Sequence, residues 1–402
     1  MSTPAPIDAM LVAINAGSTS VKFATHAVAA DGSLALRTRG GIDSLQGEPR
    51  FTASGAARNS LGGHAWDRAL DPLEALRFVA DWLRTHLEGV RIVGMGHRVV
   101  LGGERFAAPV RLEDGVLDAL EALAAMEPSH QAINVRGARL FAAEFPGVPQ
   151  VACFDNTFHA TMPDAAKTYA LPRDVRDAGV RHWGFHGLSY ESIAARLPTL
   201  VPGAGRVVVA HLGGGSSLCA MREGRSVETT MGFGALSGLP MATRSGDVPP
   251  EALLYLLRER TFDAASLEHT LYERAGLLGL SGVSGDMRVL EASEDPRAIA
   301  AIAHFVHAAT RHAGACVAVL GGLDALVFTG GVGEHSARVR AALCARLAWL
   351  GIELDPDANR VGGPRISTPA SRVSAWVIPA DEEGVIARHT LALAGTGNGA
   401  AA

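Results

Sequence analysis

Met10-Leu-Val-Ala-Ile-Asn-Ala-Gly-Ser-Thr-Ser-Val-Lys-Phe23 runs from an apolar strand through a Gly/Ser turn and back into a second strand. The glycine lets backbone N–H groups approach an anion, the hydroxyls add donors and Lys22 adds a point charge, so the segment suits phosphate. It is not a Walker loop: the G-x-x-x-x-G-K-[ST] spacing is absent, and a strand rather than a helix follows the turn. The pattern returns later in the chain, where Val207-Val-Val-Ala-His-Leu212, a Gly/Ser turn and Ser216-Ser-Leu-Cys-Ala-Met221 predict another hairpin. Two related α/β domains facing a shared cleft would produce this repeat. Two ordinary glycine hairpins would produce it equally well.

Outside the hairpins, strand-like and helical runs alternate, which predicts an α/β chain with mainly covered sheets. Asp71-Pro72, followed by Leu73, Leu76, Val79, Ala80 and Leu83, reads as a capped helix with one apolar face. Gln150 to Phe154 reads as a buried strand. At 402 residues, 48% apolar and 19% charged, the chain exceeds the usual single-domain size, and two domains are expected. A net charge of -5, with no Lys/Arg run or aromatic stripe, argues against a nucleic-acid partner. No apolar stretch reaches membrane-span length and Met1 to Asp8 has no basic n-region, so a cytoplasmic enzyme without membrane contact is expected. Cys153, Cys219, Cys316 and Cys344 are scattered among apolar neighbours and read as buried reduced thiols.

Several further segments carry chemistry. Gly94-Met-Gly96 is half of a dinucleotide fingerprint, with Val99 where the third glycine belongs. Val327-Phe-Thr-Gly-Gly-Val-Gly-Glu-His-Ser336 is the better nucleotide candidate, because a strand passes through glycines into a helix N-terminus. Arg98 and Arg244 lie in glycine-rich settings, and guanidinium groups can clamp a transferring phosphoryl, although either alone reads as an ordinary solvated arginine. Asp155 follows a buried strand and is a candidate Mg²⁺ ligand. Asp381-Glu-Glu383 places three acids at a strand-to-helix junction, where capping alone would explain one or two. His182 and His186 stand at i, i+4, but the glycine between them and the missing third ligand argue against zinc.

Together these segments resemble the acetate kinase family over essentially the whole chain and in order. The carriers are Asn15-Ala-Gly-Ser-Thr-Ser-Val-Lys22, Gly96-His-Arg-Val-Val100, Phe154-Asp-Asn-Thr-Phe-His159, Gly184-Phe-His-Gly187, His211-Leu-Gly-Gly-Gly-Ser216, Thr243-Arg-Ser-Gly-Asp247, Ser284-Gly-Asp-Met-Arg288, Phe328-Thr-Gly-Gly-Val-Gly-Glu334 and Glu382-Glu383. The resemblance implies two duplicated ribonuclease-H-like domains, as in actin-like ATPases and sugar kinases, around a nucleotide cleft. It divides the chain into residues 1–158 with a C-terminal helix 386–402, and residues 159–385. It further implies a homodimer and reversible Mg²⁺-dependent transfer of the ATP γ-phosphoryl to acetate, giving acetyl phosphate and ADP. Propionate is the alternative acceptor; a non-catalytic nucleotide-switched interaction protein is the alternative of another class.

Site roles follow from the same resemblance. Asn15, Ser18, Ser20 and Lys22 match the first phosphate-loop and metal group, with Asp155 and Glu382 the magnesium-organising acids. Arg98 and Arg244 match the arginines that orient the carboxylate and stabilise the phosphoryl, and His186 matches the donor to its equatorial oxygens. Val100, His130 and Phe185 match the acyl site. His211, Gly213, Gly214, Gly215 and Ser216 match the second phosphate loop; Asp286, Met287, Arg288, Gly331, Val332 and His335 match the adenosine pocket. Gly214 replaces the family's asparagine, Leu101 a histidine, and Ser129 and Ala235 a leucine and a proline of the acyl wall. The last two raise propionate as a substrate.

Overall fold

The computed structural model describes residues 9–17, 19–128, 130–259 and 262–394. The chain forms two compact units, one taking the chain up to Thr157 and from Asp381 onward, the other Phe158–Ala380. The C-terminal helix, expected from residue 386, begins at Glu382. Glu382 and Glu383 fill its first turn, where acidic side chains complement the helix dipole, and so belong with the first unit.

The first unit holds strands β1 (Met10–Ala16), β2 (Val21–Val28), β3 (Leu34–Asp43), β4 (Arg50–Gly55), β5 (Ser60–Ala65), β6 (Ile92–Val99), β7 (Val110–Arg111) and β8 (Gln150–Phe154). They form one sheet in the order β5-β4-β3-β2-β1-β6-β8-β7. The second unit holds β9 (Arg206–Leu212), β10 (Ser216–Arg222), β11 (Arg225–Thr229), β12 (Ala325–Thr329) and β13 (Ser374–Val377), in the order β11-β10-β9-β12-β13. In each unit an antiparallel meander of three strands continues through two parallel pairings. β3-β2-β1-β6-β8 therefore matches β11-β10-β9-β12-β13 in order and sense. The repeated hairpins are thus equivalent elements of a duplicated fold.

The central strands of both sheets are covered on both faces, which is why they are apolar at consecutive positions, whereas β3 to β5 at one edge of the first sheet are largely exposed. In the first unit Val12, Ile14 and Met95 pack with Leu76, Val79 and Leu83 of helix Pro72–His86 and Phe141 of helix Gln131–Glu144. Asp71 caps the former helix, accepting from the N–H groups of Leu73 and Glu74. Successive strand residues face opposite sides. A Cβ added to Gly94 would accordingly meet Thr390 and Ala394, and one at Gly96 would collide with Thr390 and Ile386 of the C-terminal helix. Gly94 and Gly96 are small so that this helix can lie close. In the second unit Val208, Ala210 and Phe328 face the long helix Pro296–Leu320, while Val207, Val209 and Val327 pack with Tyr190 and Ile193 of helix Gly187–Ala194. All four cysteines are buried and none forms a disulfide. Among the described residues no helix is long and apolar enough to cross a membrane.

Candidate functional site

In the first unit the ends of three neighbouring strands bring their polar residues together. Arg98, on β6, donates through Nε to Asp155 Oδ2 at 2.7 Å, and its Nη2 lies 2.5 Å from the same oxygen. Asp155 sits directly after β8, where its N–H bonds Val99 O at 3.1 Å. Arg98 Nη1 also reaches Asn15 Oδ1 at 3.4 Å, and Asn15 Nδ2 donates to Glu382 Oε2 at 2.7 Å and Glu383 Oε1 at 3.3 Å. Burial disfavours the Arg98 charge, but Asp155, Glu382 and Glu383 outweigh it and raise the guanidinium pKa. Glu383 shows the opposite sign: burial, reinforced by neighbouring Glu382, raises its carboxyl pKa, with Lys22 and Asn15 pulling it back. Lys22 is exposed on β2, paired in register with Asn15. Ser18 and Ser129 lie outside the described residues.

Magnesium is commonly held through one or two carboxylates, waters and phosphate oxygens rather than an all-protein cage. The partly exposed Glu382, oriented by the Asn15 amide, fits that demand. Asp155, also expected at the metal, is 1% exposed and directed at Arg98, a placement suited to aiming the guanidinium.

The backbone beyond Arg98 is clamped by two residues that the sequence reading missed. Asn134 Oδ1 accepts from Val100 N at 3.1 Å while its Nδ2 donates to Ala16 O at 2.9 Å, tying Val100, which is expected at the acyl site, to the end of β1. Gln131 grips Leu101 from both sides, accepting its N–H at 3.1 Å and donating to its carbonyl at 2.9 Å. The Leu101 side chain is itself fully buried. His130 occupies the N-cap position of the same helix without a side-chain capping bond, its Nδ1 lying 3.0 Å from Oε1 of fully buried Glu127.

In the second unit the Gly213-Gly-Gly215 turn joins β9 to β10. Ser216 Oγ closes it, accepting from Gly213 N at 3.1 Å and lying 3.1 Å from Gly213 O. A Cβ at Gly214 would meet nothing within 4 Å, so packing does not dictate the loss of the family's asparagine there. A Cβ at Gly215 would lie 3.1 Å from His186 Nε2 and 3.9 Å from Arg244 Nη1, placing both side chains against the turn. His186 precedes helix Gly187–Ala194 with φ 61° and ψ 24°, a left-handed conformation unusual for a non-glycine residue and associated with functional sites. Its ring stacks on His211 at 4.2 Å and its Nδ1 meets Ser217 Oγ at 2.9 Å; His211 Nδ1 in turn meets Ser189 Oγ at 2.8 Å. Phe185 is buried, and its carbonyl bonds His159 Nε2 at 2.9 Å. Arg244 Nη1 donates to Ala235 O at 3.1 Å, so the alanine expected in the acyl wall also holds the arginine. His182 bonds Met231 O instead of sharing a centre with His186.

Of the nucleotide candidates, Gly331, Val332 and His335 belong to a second glycine turn and the short helix Gly330–His335 that it opens. Gly330 has φ +77°, and a Cβ there would lie 2.7 Å from Leu212 O, so only glycine fits. A Cβ at Gly213 would lie 3.7 Å from Gly331 N, which puts the two turns side by side. Glu334 Oε1 accepts from Gly330 N at 3.0 Å, and buried Arg340 holds the far end of the turn through Gly333 O at 3.0 Å and Glu334 O at 2.8 Å. Asp286 caps the helix Met287–Ala292 and pairs with Arg288; both line an open surface depression with Val283, Val289, Ala292 and Ser293. Met287 itself is buried in the core, while His335 is exposed.

Residues 10–388 match the model of the Acetokinase family. The chain belongs to this family. An acetate kinase of Rhodopseudomonas palustris is 47% identical over 398 residues, covering 96% of this chain and 99% of that protein. An acetate kinase of Nitrobacter hamburgensis is 46% identical over 391 residues, covering 96% of each. Among solved structures of this family, a propionate kinase from Francisella tularensis superposes with a TM-score of 0.85 at 31% identity, covering 96% of this chain and all of that one. Porphyromonas gingivalis acetate kinase gives 0.81 at 32% identity, covering 96% and 99%. The acetokinase fold accounts for the duplicated sheet.

Proposed function

We propose that this acetokinase-family chain is an ATP:acetate phosphotransferase. A carboxylate oxygen of acetate attacks the γ-phosphorus, an O–P bond forms, and the bond to the β-phosphate oxygen breaks with its electron pair leaving on ADP. Acetate is ionised near neutral pH, so no general base is required. Catalysis then rests on positioning and charge stabilisation. Arg98, aimed by Asp155, and Arg244, held by Ala235, supply positive charge to the carboxylate and the transferring phosphoryl, and His186 donates to an equatorial oxygen. Val100 and Phe185 receive the methyl group. The glycine turns at 213–215 and 330–333 present backbone N–H groups to the nucleotide phosphates. Magnesium, held through Glu382 and Asn15, would neutralise phosphate charge.

The observation that carries this reading is the continuous chain Asp155–Arg98–Asn15–Glu382, which joins an anion-orienting arginine to a metal-fitting carboxylate. Trapping the product with hydroxylamine, and comparing kcat/KM for acetate and propionate, tests it. Acyl hydroxamate formation with acetate preferred is expected, and none above an enzyme-free control rejects it. The small Ala235 supports propionate as a second reading, although one methylene is worth only about 1 to 3 kcal/mol of discrimination. A cytoplasmic location is supported by the four buried cysteines, none of which forms a disulfide. A homodimer is supported by helix Pro250–Arg258, which has no buried residue and leaves Leu254 and Tyr255 exposed. Sedimentation of Tyr255→Glu, expected to be monomeric, checks that state.

A further inference from the structure

Tyr190, in helix Gly187–Ala194, is fully buried within an apolar cluster. Among the described residues its hydroxyl has one hydrogen-bond partner, Ser217 Oγ at 2.5 Å. Burial pushes the phenol pKa well above the ordinary 10, so the group keeps its proton. A buried O–H with one neighbouring acceptor donates to it, because the reverse arrangement strands that proton among apolar side chains. Ser217 Oγ therefore accepts from Tyr190. Ser217 is also fully buried on β10, directly opposite His211 in the β9–β10 register, and has a single proton of its own. Its second partner is His186 Nδ1 at 2.9 Å, and the Ser217 proton points there.

We infer that Tyr190 and Ser217 form a donor relay that makes His186 Nδ1 an acceptor and keeps the imidazole proton on Nε2, which makes both of them positioning residues for phosphoryl transfer. A neutral imidazole that accepts at one nitrogen donates at the other. Nε2 is the nitrogen that faces the Gly213–Gly215 turn and Arg244, as the space beside Gly215 shows. The left-handed backbone at His186 and the stack on His211 hold the ring in this orientation. Doubly protonated His186 would set an N–H against the Ser217 O–H and reverse the relay, so the wiring selects a neutral donor rather than a mobile acid. The tautomer stands on the geometry of this unit alone; its catalytic consequence rests on the function proposed above.

Histidine nitrogen-15 spectra of the full chain at neutral pH test the relay, with His186 identified by the signals that His186→Gln removes. The expected result is the Nε2–H pattern in the unaltered protein and appearance of the Nδ1–H tautomer in Ser217→Ala. In the same variant kcat falls by roughly tenfold or more while KM for ATP and acetate move by less than about twofold, the split expected when a donor is lost in the transition state. Tyr190→Phe, which keeps the ring volume, produces a smaller loss because Ser217 retains its proton. A proton on Nδ1 or a doubly protonated His186 in the unaltered protein overturns the inference, and so does an unchanged spectrum in Ser217→Ala. If Ser217→Ala does not fold, the unaltered spectrum and that of Tyr190→Phe decide. An Nε2–H spectrum in a chain that forms no acyl phosphate supports the wiring and overturns the function read onto it.

Discussion

Replacing Asp155 separates its charge from its shape. The Asp155 side chain is 2% exposed and the Arg98 side chain 16%, with Nε at 2.7 Å and Nη2 at 2.5 Å from one oxygen. Removing one member of a buried pair leaves an uncompensated charge and typically costs about 3 to 5 kcal/mol. Arg98 keeps Asn15 Oδ1 at 3.4 Å and the fields of Glu382 and Glu383, which places Asp155→Ala near the low end, at about 3 kcal/mol. Asp155→Asn retains an acceptor without charge. Charge-assisted hydrogen bonds are roughly twice as strong as neutral ones, so its loss is about half as large. The double variant Arg98→Ala with Asp155→Ala removes both charges and costs less than the sum of the single changes, by at least about 1 kcal/mol. Urea unfolding of the four proteins measures these values. Acetate turnover in Asp155→Ala falls on the order of 100-fold in kcat/KM, because the freed guanidinium no longer holds the reacting geometry. Equal damage from Asn and Ala, or strict additivity in the double variant, refutes the view that Asp155 acts through the Arg98 charge.

Other expectations follow from the same structure. Burial drives His97 and His159 from 6.5 down to about 4, so the unfolded chain takes up their protons first. Their stabilisation is present above pH 6.5 and lost toward pH 4, with each histidine contributing a slope approaching about 1.4 kcal/mol per pH unit; urea midpoints from pH 7 to 4.5 check this, and His97→Gln removes one proton from the slope. Arg340→Met leaves the carbonyls of Gly333, Glu334 and Asn359 without their charged donor, so KM for ATP rises more than KM for acetate, and stability falls by roughly 3 kcal/mol. Gly330→Ala, forced to φ +77° against Leu212 O, costs about 1 to 3 kcal/mol and weakens nucleotide binding, measured by calorimetry with ADP.

Local signals carried much of the fold. Asp71-Pro72 announces its helix because cap and apolar face lie within a dozen or so residues, and both hairpins announce themselves because the strands flank their own turns. The equivalence of the hairpins needed the sheet order, since their shape suits an unrelated turn as well. Site residues carried by motifs were legible; those that support them were not. Asn134 reaches Ala16 across 118 positions, and no periodicity in a helix marks which polar residue faces inward to clamp a distant backbone. Tyr190 left a faint signal, standing one helical turn after His186, and Ser217 doubled the serine of the glycine turn. The start of the C-terminal helix was readable from Glu382 and Glu383 as first-turn acids. The sequence places the strand-to-helix junction at those acids, whereas the domain division implied by the resemblance starts the helix about one turn later, at 386.

The central claim is that this chain joins phosphate to a carboxylate. Phosphorus NMR of the protein with ATP, magnesium and acetate follows the bond as it forms. An acyl phosphate resonance growing in step with ADP, and abolished in Arg98→Ala and Arg244→Ala, is the predicted result; ADP accompanied only by inorganic phosphate, or no turnover at all, contradicts it.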